Sequence, residues 1–255
     1  MEIDERTENT VLVSARNRGA YSELAAQMAP TELPEYLNFD NTVYRYWDKL
    51  EDYFPDYQFF LVDKESDKPI GRGHCIPLSF KQEWHELPDE GFDWVLKKGF
   101  CDAENGFEPN MVSALFITIA REQLGKGISY RMLKGMKSIG RGMGFSYLLA
   151  PIRPSKKHLY PLIPIEDYSH WKREDGSPFD PWLRVHQRIG GVIVRTCQRS
   201  MMVTASIQQW CDWTGIVFPG SGSHLIPGGL APLSVDLALD KASYVEPGIW
   251  IRHAL

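Results

Sequence analysis

The stretch MVSALFITIAREQLGKGISYRMLKGMKSIGRG, residues 111–142, is the part of the chain whose pattern decides the fold. It begins as an apolar run with several β-branched residues, crosses the short segment 121–127, and continues with apolar side chains at helical spacing. This pattern predicts a strand over 111–120, a loop, and a helix over 128–141. A helix that follows a glycine-bearing loop presents unpaired backbone N–H groups and the positive end of its dipole at one place. The unit therefore predicts a site for an anion such as a phosphate.

The predicted helix carries an apolar face and a basic one. The apolar residues at core spacing are Ile128, Met132, Met136 and Ile139. The basic residues are Lys126, Arg131, Lys134, Lys137 and Arg141. In a chain whose formal net charge is -5, this local positive patch either meets phosphate groups or forms a solvated face.

Strands and helices are predicted on both sides of this unit. The predicted strands are 10–15, 57–62, 69–78, 145–152, 192–203 and 206–213, with two short ones near 233–239 and 248–252. The predicted helices are 21–28, 41–52, 92–98 and 181–189. The last of these helices has Asp180 as its N-cap and Pro181 as its first residue. Alternation of the two types predicts an α/β fold of the mixed α+β kind, with a central mixed sheet and helices on both faces.

Composition narrows the class of protein. The chain has 255 residues, 43% of them hydrophobic and 24% charged, which is typical of a globular protein. Its acidic balance argues against a dedicated nucleic-acid binder. No apolar run approaches the roughly 18 residues that span a bilayer, and the acidic N-terminus does not resemble a secretory signal. The four cysteines match no common zinc spacing, so we expect no metal. From the absence of a spanning run and of a secretory signal we expect a cytoplasmic protein without a membrane partner.

The residues Leu124-Gly125-Lys126-Gly127-Ile128-Ser129 resemble the phosphate-binding motif of the GCN5-related N-acetyltransferase (GNAT) superfamily. The family pattern is Gln/Arg-x-x-Gly-x-Gly/Ala, and its first glycine falls on Gly127. Leu124 replaces the usual Gln/Arg, and Ser129 replaces the last Gly/Ala. With the order of the neighbouring elements, the resemblance covers roughly residues 10–213. It implies a mostly antiparallel, twisted GNAT-like sheet.

The resemblance also implies a co-substrate, acetyl-CoA or another acyl-CoA. Its pyrophosphate would be held mainly by backbone N–H groups of Leu124, Gly125, Lys126, Gly127, Ile128 and Ser129. The backbone of Ile117 and Ile119 would pair with the pantetheine arm. The acyl-CoA would lie in a V-shaped opening between the strands 111–120 and 145–152. A backbone N–H of the first of these strands would polarise the thioester carbonyl.

The segment 182–191 resembles the last helix of the family, written roughly A-x-x-x-Y-x-x-x-G-F. In that register the family's tyrosine, a general acid for the departing CoA thiolate, falls on His186, and the final glycine and phenylalanine fall on Gly190 and Gly191. A histidine has an unperturbed pKa near 6.5 and can serve the same purpose. The alternative is a histidine that packs or hydrogen-bonds on the helix face.

The long segment 153–181 is expected to be a wall or lid of the acceptor site. Its Glu166 and Asp167 are candidates for a general base or for binding a cationic amine. The alternative is that these carboxylates pair with lysines and arginines of the same segment.

The sequence therefore predicts an N-acetyltransferase that moves an acetyl or other acyl group from acyl-CoA to an amine, with a small-molecule acceptor favoured. Two alternatives remain: a catalytically silent GNAT-like acyl-CoA sensor or interaction module, and an α/β nucleotide-phosphate binder unrelated to CoA. Residues 1–215 would form the acyl-CoA-binding domain and 216–255 an extension packed on it. Whether this extension covers the sheet edge or forms a homodimer contact is left open.

Overall fold

The computed structural model describes residues 9–28 and 33–255. Residues 1–8 of the acidic N-terminal segment lie outside the described residues. The strands of the described part are β1 (Thr10–Ser14), β2 (Gln58–Asp63), β3 (Lys68–Leu78), β4 (Met111–Ile119), β5 (Tyr147–Ile152), β6 (Gly191–Ala205), β7 (Gly222–His224), β8 (Leu233–Asp236) and β9 (Lys241–Ala254). Its α-helices are α1 (Arg18–Gln27), α2 (Asn41–Tyr46), α3 (Leu50–Tyr53), α4 (Gly91–Glu104), α5 (Ile128–Gly142), α6 (Ile165–Ser169), α7 (Pro181–Arg188) and α8 (Ile207–Thr214).

All nine of these strands belong to one sheet. Their order is β1-β2-β3-β4-β5-β9-β8-β7, and β6 pairs with the other edge of β9. Neighbouring strands run antiparallel except for β4 and β5, which are parallel. This arrangement confirms the predicted fold class, a mixed and mostly antiparallel sheet with helices.

The parallel pair at the centre of the sheet is very short. Over their described lengths, β4 and β5 pair only at Val112 with Leu148 and at Ser113 with Leu149. The Ser113 hydroxyl donates to the carbonyl of Leu149 at 3.2 Å, at the end of this ladder. Beyond it the two strands separate, and the sheet opens between them.

Helix α5 covers the sheet on one side of this opening. Ile128, Met132 and Met136 are buried in the core that the helix forms with β3, β4 and β5, as the spacing predicted. Close approach depends on glycine in β3, because a Cβ at Gly71 would lie 2.7 Å from the sulfur of Met132. The strand–loop–helix unit of residues 111–142 is therefore confirmed, with helix bounds one residue longer.

Strand β9 is much longer than the sequence predicted. Only 248–252 was expected to be extended, whereas the strand runs over 14 residues. Its middle contains Pro247 and Gly248, where the pairing register with β6 shifts, and this interruption hides the strand in the sequence pattern. Within the sheet β9 contacts β5, β6 and β8, so the extension 216–255 supplies its central strand.

Two local predictions were wrong. Residues 206–213 form helix α8 instead of a strand, because Ser206 and Gln209 make a capping box that the sequence pattern already contained. Cys211 therefore lies on a helix. The predicted helix 41–52 is broken into α2, a 3₁₀ turn at Trp47–Lys49, and α3, although Asp40 caps its start.

We expect Trp250→Ala on β9 to destabilise the protein by about 3–5 kcal/mol, because Trp250 is fully buried and its indole N–H donates to the carbonyl of Pro88 at 2.8 Å. Val245 on the same strand is exposed, so Val245→Ala is the matched control and should cost less than about 1 kcal/mol. Urea unfolding followed by circular dichroism measures both. Equal losses would show that β9 is not a core strand.

Candidate active site

A cavity of about 650 Å³ lies where β4 and β5 separate. Residues 114–118 of β4 and 150–152 of β5 line it. Helix α7 contributes Trp182 and His186 to its wall. The remaining wall includes Trp47, Arg72, His74, Phe92, Arg153, Ser200, Met201 and Glu246. The opening in the sheet is thus a cavity large enough for a small molecule, and its wall includes several polar and charged side chains.

A β-bulge in β4 faces this cavity. His74 of β3 is opposite Phe116 and Cys75 is opposite Ala114, so Leu115 is the extra residue. A bulge turns backbone N–H and C=O groups away from the ladder. Since β5 no longer pairs with β4 here, this backbone is available to a bound molecule. The sequence of β4 contains no glycine or proline that could have predicted the bulge.

The loop before α5 has the geometry of an anion cradle. Gly125 and Gly127 both have φ of 77°, a left-handed conformation that favours glycine. Gly127 precedes α5 and the helix has no side-chain cap. The N–H of Tyr130 donates to the carbonyl of Gly127 at 3.2 Å, whereas those of Ile128 and Ser129 lie before the first intrahelical hydrogen bond. The backbone around Gly125 and Gly127 is open, because an added Cβ would meet no atom within 4 Å.

His186 is brought into the cavity wall by α7. Asp180 starts this helix by accepting hydrogen bonds from the N–H groups of Trp182 and Leu183 at 2.8 and 3.2 Å. The His186 ring is buried, its Nδ1 lies 2.9 Å from Nε2 of His253, and its Nε2 has no hydrogen-bond partner among the described residues. Burial in the first place, and then His253, hold the pKa of His186 well below its usual range.

His74 is a second buried histidine at the cavity. Gln58 donates its amide N–H groups to the carbonyls of Phe54 and Cys75, so its amide oxygen accepts from Nδ1 of His74 at 3.0 Å. This network leaves Nε2 of His74 as a lone-pair acceptor. Burial, and to a smaller extent Arg72, lowers the pKa of His74 to about 3, so the ring is neutral near pH 7.

Charged groups of both signs line the same space. Nε of Arg153 donates to Glu246 at 2.9 Å, and the hydroxyl of Tyr244 donates to the other oxygen of this carboxylate at 2.8 Å. Arg72 donates to the Tyr21 hydroxyl at 3.1 Å and to Glu51 at 2.6 Å. Arg72 has five N–H donors, which leaves several for a ligand.

Glu166 and Asp167 lie on α6, outside the residues that line the cavity. The carboxylate of Glu166 accepts hydrogen bonds from Thr196 and Gln198, and Asp167 is exposed. The alternative interpretation expected Glu166 to pair with basic residues of its own segment, but its partners are Thr196 and Gln198.

Among the described residues, no three or more His, Cys, Asp or Glu side chains are grouped to hold a metal ion. No helix of this part of the chain is long and apolar enough to cross a membrane.

Comparison with known proteins settles the family. The arginine N-acetyltransferase avaD of Aspergillus versicolor is 31% identical to this chain in an alignment 248 residues long that covers 87% of this chain and 85% of the relative. The chain belongs to the GCN5-related N-acetyltransferase superfamily. The predicted class, an N-acyltransferase acting on an amine, is confirmed with it. No protein-family model matches the chain.

Solved GNAT structures show the same fold at low identity. The loading GNATL domain of CurA from Lyngbya majuscula superposes with a TM-score of 0.57 at 17% identity, over 96% of this chain and 97% of that domain. The GphF GNAT-like decarboxylase, solved with isobutyryl-CoA, superposes with a TM-score of 0.53 at 13% identity, over 96% of this chain and 98% of that one. These likenesses support the GNAT fold.

Sequence reasoning did not find His74, Arg153, Glu246 or His253. They lie on β3, after β5 and on β9, far apart in sequence, and no motif connects them. A signal for His74 did exist, since Arg72 and His74 alternate with Gly71 and Gly73 and so share one face of β3. Only the tertiary fold brings Glu246 and His253 to the site, and no local sequence pattern indicates them.

We expect Gly127→Ala to destabilise the protein by about 1–2 kcal/mol, because a Cβ disfavours the left-handed backbone at this residue. Gly142, at the end of α5, has no such backbone and no close neighbour. Gly142→Ala is therefore the control, neutral or stabilising by up to about 1 kcal/mol. Thermal unfolding measures the stability of both variants. Equal changes in stability would contradict a strained backbone at Gly127.

The low pKa of His74 predicts a pH-dependent stability. In the unfolded chain this histidine binds a proton below about pH 6.5, whereas in the folded protein it does so only near pH 3. As the pH drops through this range, His74 therefore lowers the free energy of unfolding by about 1.4 kcal/mol per pH unit. His74→Gln should flatten this slope between pH 6 and 4.5 in urea-unfolding series. The exposed His158→Gln serves as control, and an unchanged slope in His74→Gln would contradict the buried neutral ring.

Proposed function

We propose that this protein transfers an acyl group from acyl-CoA to the amine of a small basic amino acid, with arginine as the first candidate. The observation that carries the proposal is the opening between β4 and β5, which holds a cavity lined by charges of both signs and lies beside the strand that leads into the glycine loop at 125–127. The arginine N-acetyltransferase relative supports the choice of acceptor. A zwitterionic acceptor with a cationic side chain requires groups of both signs.

The residues of the loop fit the phosphate groups of CoA. The open left-handed glycines and the uncapped start of α5 offer N–H donors, and Lys126 adds a positive charge beside them. The loop residues Leu124 to Ser129 would hold the pyrophosphate, and the β4 backbone at Ile117 and Ile119 would hold the pantetheine arm. Acyl-CoA supplies the activated acyl group as a thioester when it is bound.

We assign the chemistry to the residues that line the cavity. The bulged backbone of β4 around Leu115 would donate to the developing oxyanion. Nε2 of His74 would accept a hydrogen bond from the acceptor amine and orient its lone pair. His186 would deliver a proton from Nε2 to the departing thiolate, as the resemblance implied. Glu166 and Asp167 receive no catalytic role here, because they lie outside the cavity wall.

Arg72 is the group that we assign to the acceptor's carboxylate. It lies two residues before His74 on the same face of β3, so amine and carboxylate of one amino acid would meet neighbouring side chains. A guanidinium binds a carboxylate through charge-assisted hydrogen bonds. Glu246, already paired with Arg153, would then limit excess positive charge in the cavity.

We expect acetyl-CoA and arginine to release free thiol, with agmatine, which lacks the carboxylate, as a poorer acceptor. Arg72→Gln should lower kcat/KM for arginine by about 10- to 100-fold and change the rate with agmatine little, because only arginine loses an ionic hydrogen bond. Arg45→Gln is the control, since Arg45 lies outside this cavity.

Three outcomes would contradict the proposal. Equal losses for both acceptors in Arg72→Gln would remove Arg72 from carboxylate recognition. Binding of acetyl-CoA without thiol release on any amine would support the sensor alternative. Stabilisation by ATP or NAD, and none by CoA, would support a nucleotide-phosphate binder.

A further inference from the structure

The rings of His186 and His253 touch although they come from α7 and β9. Nδ1 of His186 lies 2.9 Å from Nε2 of His253, so one nitrogen carries the hydrogen and the other accepts it. The two outer nitrogens, Nε2 of His186 and Nδ1 of His253, make no hydrogen bond to the described residues. His186 lines the cavity, and the pair therefore connects the cavity with the interior behind α7.

Two neutral rings joined by one hydrogen bond have only two arrangements. In the first, His253 donates from Nε2, and His186 carries its hydrogen on Nε2. In the second, His186 donates from Nδ1, its Nε2 is a bare acceptor, and His253 carries its hydrogen on Nδ1. Moving from the first to the second removes a hydrogen from one end of the pair and adds one at the other.

The surroundings keep both rings neutral. Burial, and then His253, keeps the pKa of His186 well below its usual range. Burial, and then the ammonium of Lys137, lowers the pKa of His253 to about 4, while the Ile189 carbonyl acts in the opposite direction. A neutral imidazole that loses its only N–H hydrogen becomes a strongly basic anion. His186 can therefore give up the hydrogen on Nε2 only if its Nδ1 gains one at the same time.

The backbone is shaped to admit this contact. A Cβ at Gly191 would lie 2.6 Å from Cε1 of His253 and 2.7 Å from the His186 carbonyl oxygen. The sequence comparison placed the family's tyrosine on His186 and its phenylalanine on Gly191. Both departures thus occur at residues that contact His253, and a side chain at residue 191 would exclude its ring.

We propose that His253 is the positioning residue of a two-histidine proton relay. As His186 delivers the hydrogen on Nε2 to the thiolate sulfur, Nε2 of His253 passes its hydrogen to Nδ1 of His186. The S–H and Nδ1–H bonds form, and the two Nε2–H bonds break. A water molecule then gives His253 a hydrogen at Nδ1, and the hydroxide that it leaves takes up the proton that the acylated amine releases. The reverse shift, with water at both ends, restores the first arrangement. The relay rests on the proposed function only in that His186 serves the thiolate.

The test measures single-turnover rates of acyl transfer in mixtures of H₂O and D₂O. In the wild type the rate should depend on deuterium content along a curve, because two protons move together. His253→Gln can hold Nδ1 of His186 but cannot pass a proton through itself, so it should lower the rate about tenfold or more and make this dependence linear. Acetyl-CoA affinity should not change. The control is His224→Gln, a histidine outside the cavity wall that contacts the Gly220 carbonyl.

The double variant separates the relay from independent effects. His186→Gln together with His253→Gln should be no slower than His186→Gln alone, within a few-fold, because both residues serve one proton transfer. A His253→Gln variant with wild-type rate and a curved dependence would overturn the relay. So would a variant that loses only thermal stability or acetyl-CoA affinity.

A measurement on the wild-type protein covers the case in which His253→Gln does not fold. Spectra of ¹⁵N-histidine-labelled protein should show both rings neutral from pH 6 to 8, each with its hydrogen on Nε2. A ring that becomes doubly protonated in this range, or a His186 hydrogen on Nδ1, would overturn the relay. These spectra need no turnover, whereas a fully active His186→Gln would refute the assigned role of His186 in the proposed function.

Discussion

The constraint on which the site depends is the short ladder between β4 and β5. In the part of the chain that the structure describes, these are the only parallel neighbours of the sheet, and they pair at just two positions before they separate. Beyond that point β4 still pairs with β3 and β5 with β9, but the backbone groups that face the opening lack a partner strand, which is costly unless another molecule provides one. The bulge at Leu115 lies along this opening, and the glycine loop before α5 follows the C-terminal end of the same strand. One interruption in hydrogen bonding thus creates the cavity and the exposed strand backbone.

Strand β9 closes the other side of the opening and supplies part of its wall. Its pairing with β5 keeps the sheet continuous, and its pairing with β6 extends from Gly191 to Ala205 of that strand with two shifts of register. Glu246 enters the cavity wall from this strand, and His253 supports His186 from it. Stability and chemistry are therefore coupled in β9, because the core residues Ile249, Trp250 and Ile251 lie on the same strand as Glu246 and His253.

Burial determines the proton chemistry of the cavity. His74 and His186 are both neutral because charge is expensive away from water. Gln58 assigns a lone pair to Nε2 of His74, whereas the contact with His253 leaves His186 two tautomers. Two histidines of the same type thus obtain different capacities from their hydrogen-bond partners, one as a fixed acceptor and one as part of a convertible pair.

Much of this protein could be predicted from local sequence alone. The strand–loop–helix of residues 111–142, the caps at Asp40 and Asp180 and the candidate His186 depend on contacts between residues close in sequence. The capping box at Ser206 was equally local but was overlooked. The bulge at Leu115, the length of β9 and the partner His253 arise from pairing between distant segments, which no periodicity records. The sequence determined the fold family and the loop that suits a phosphate, while the tertiary structure decided which side chains meet in the cavity, because burial and long-range hydrogen bonding exist only once the sheet is assembled.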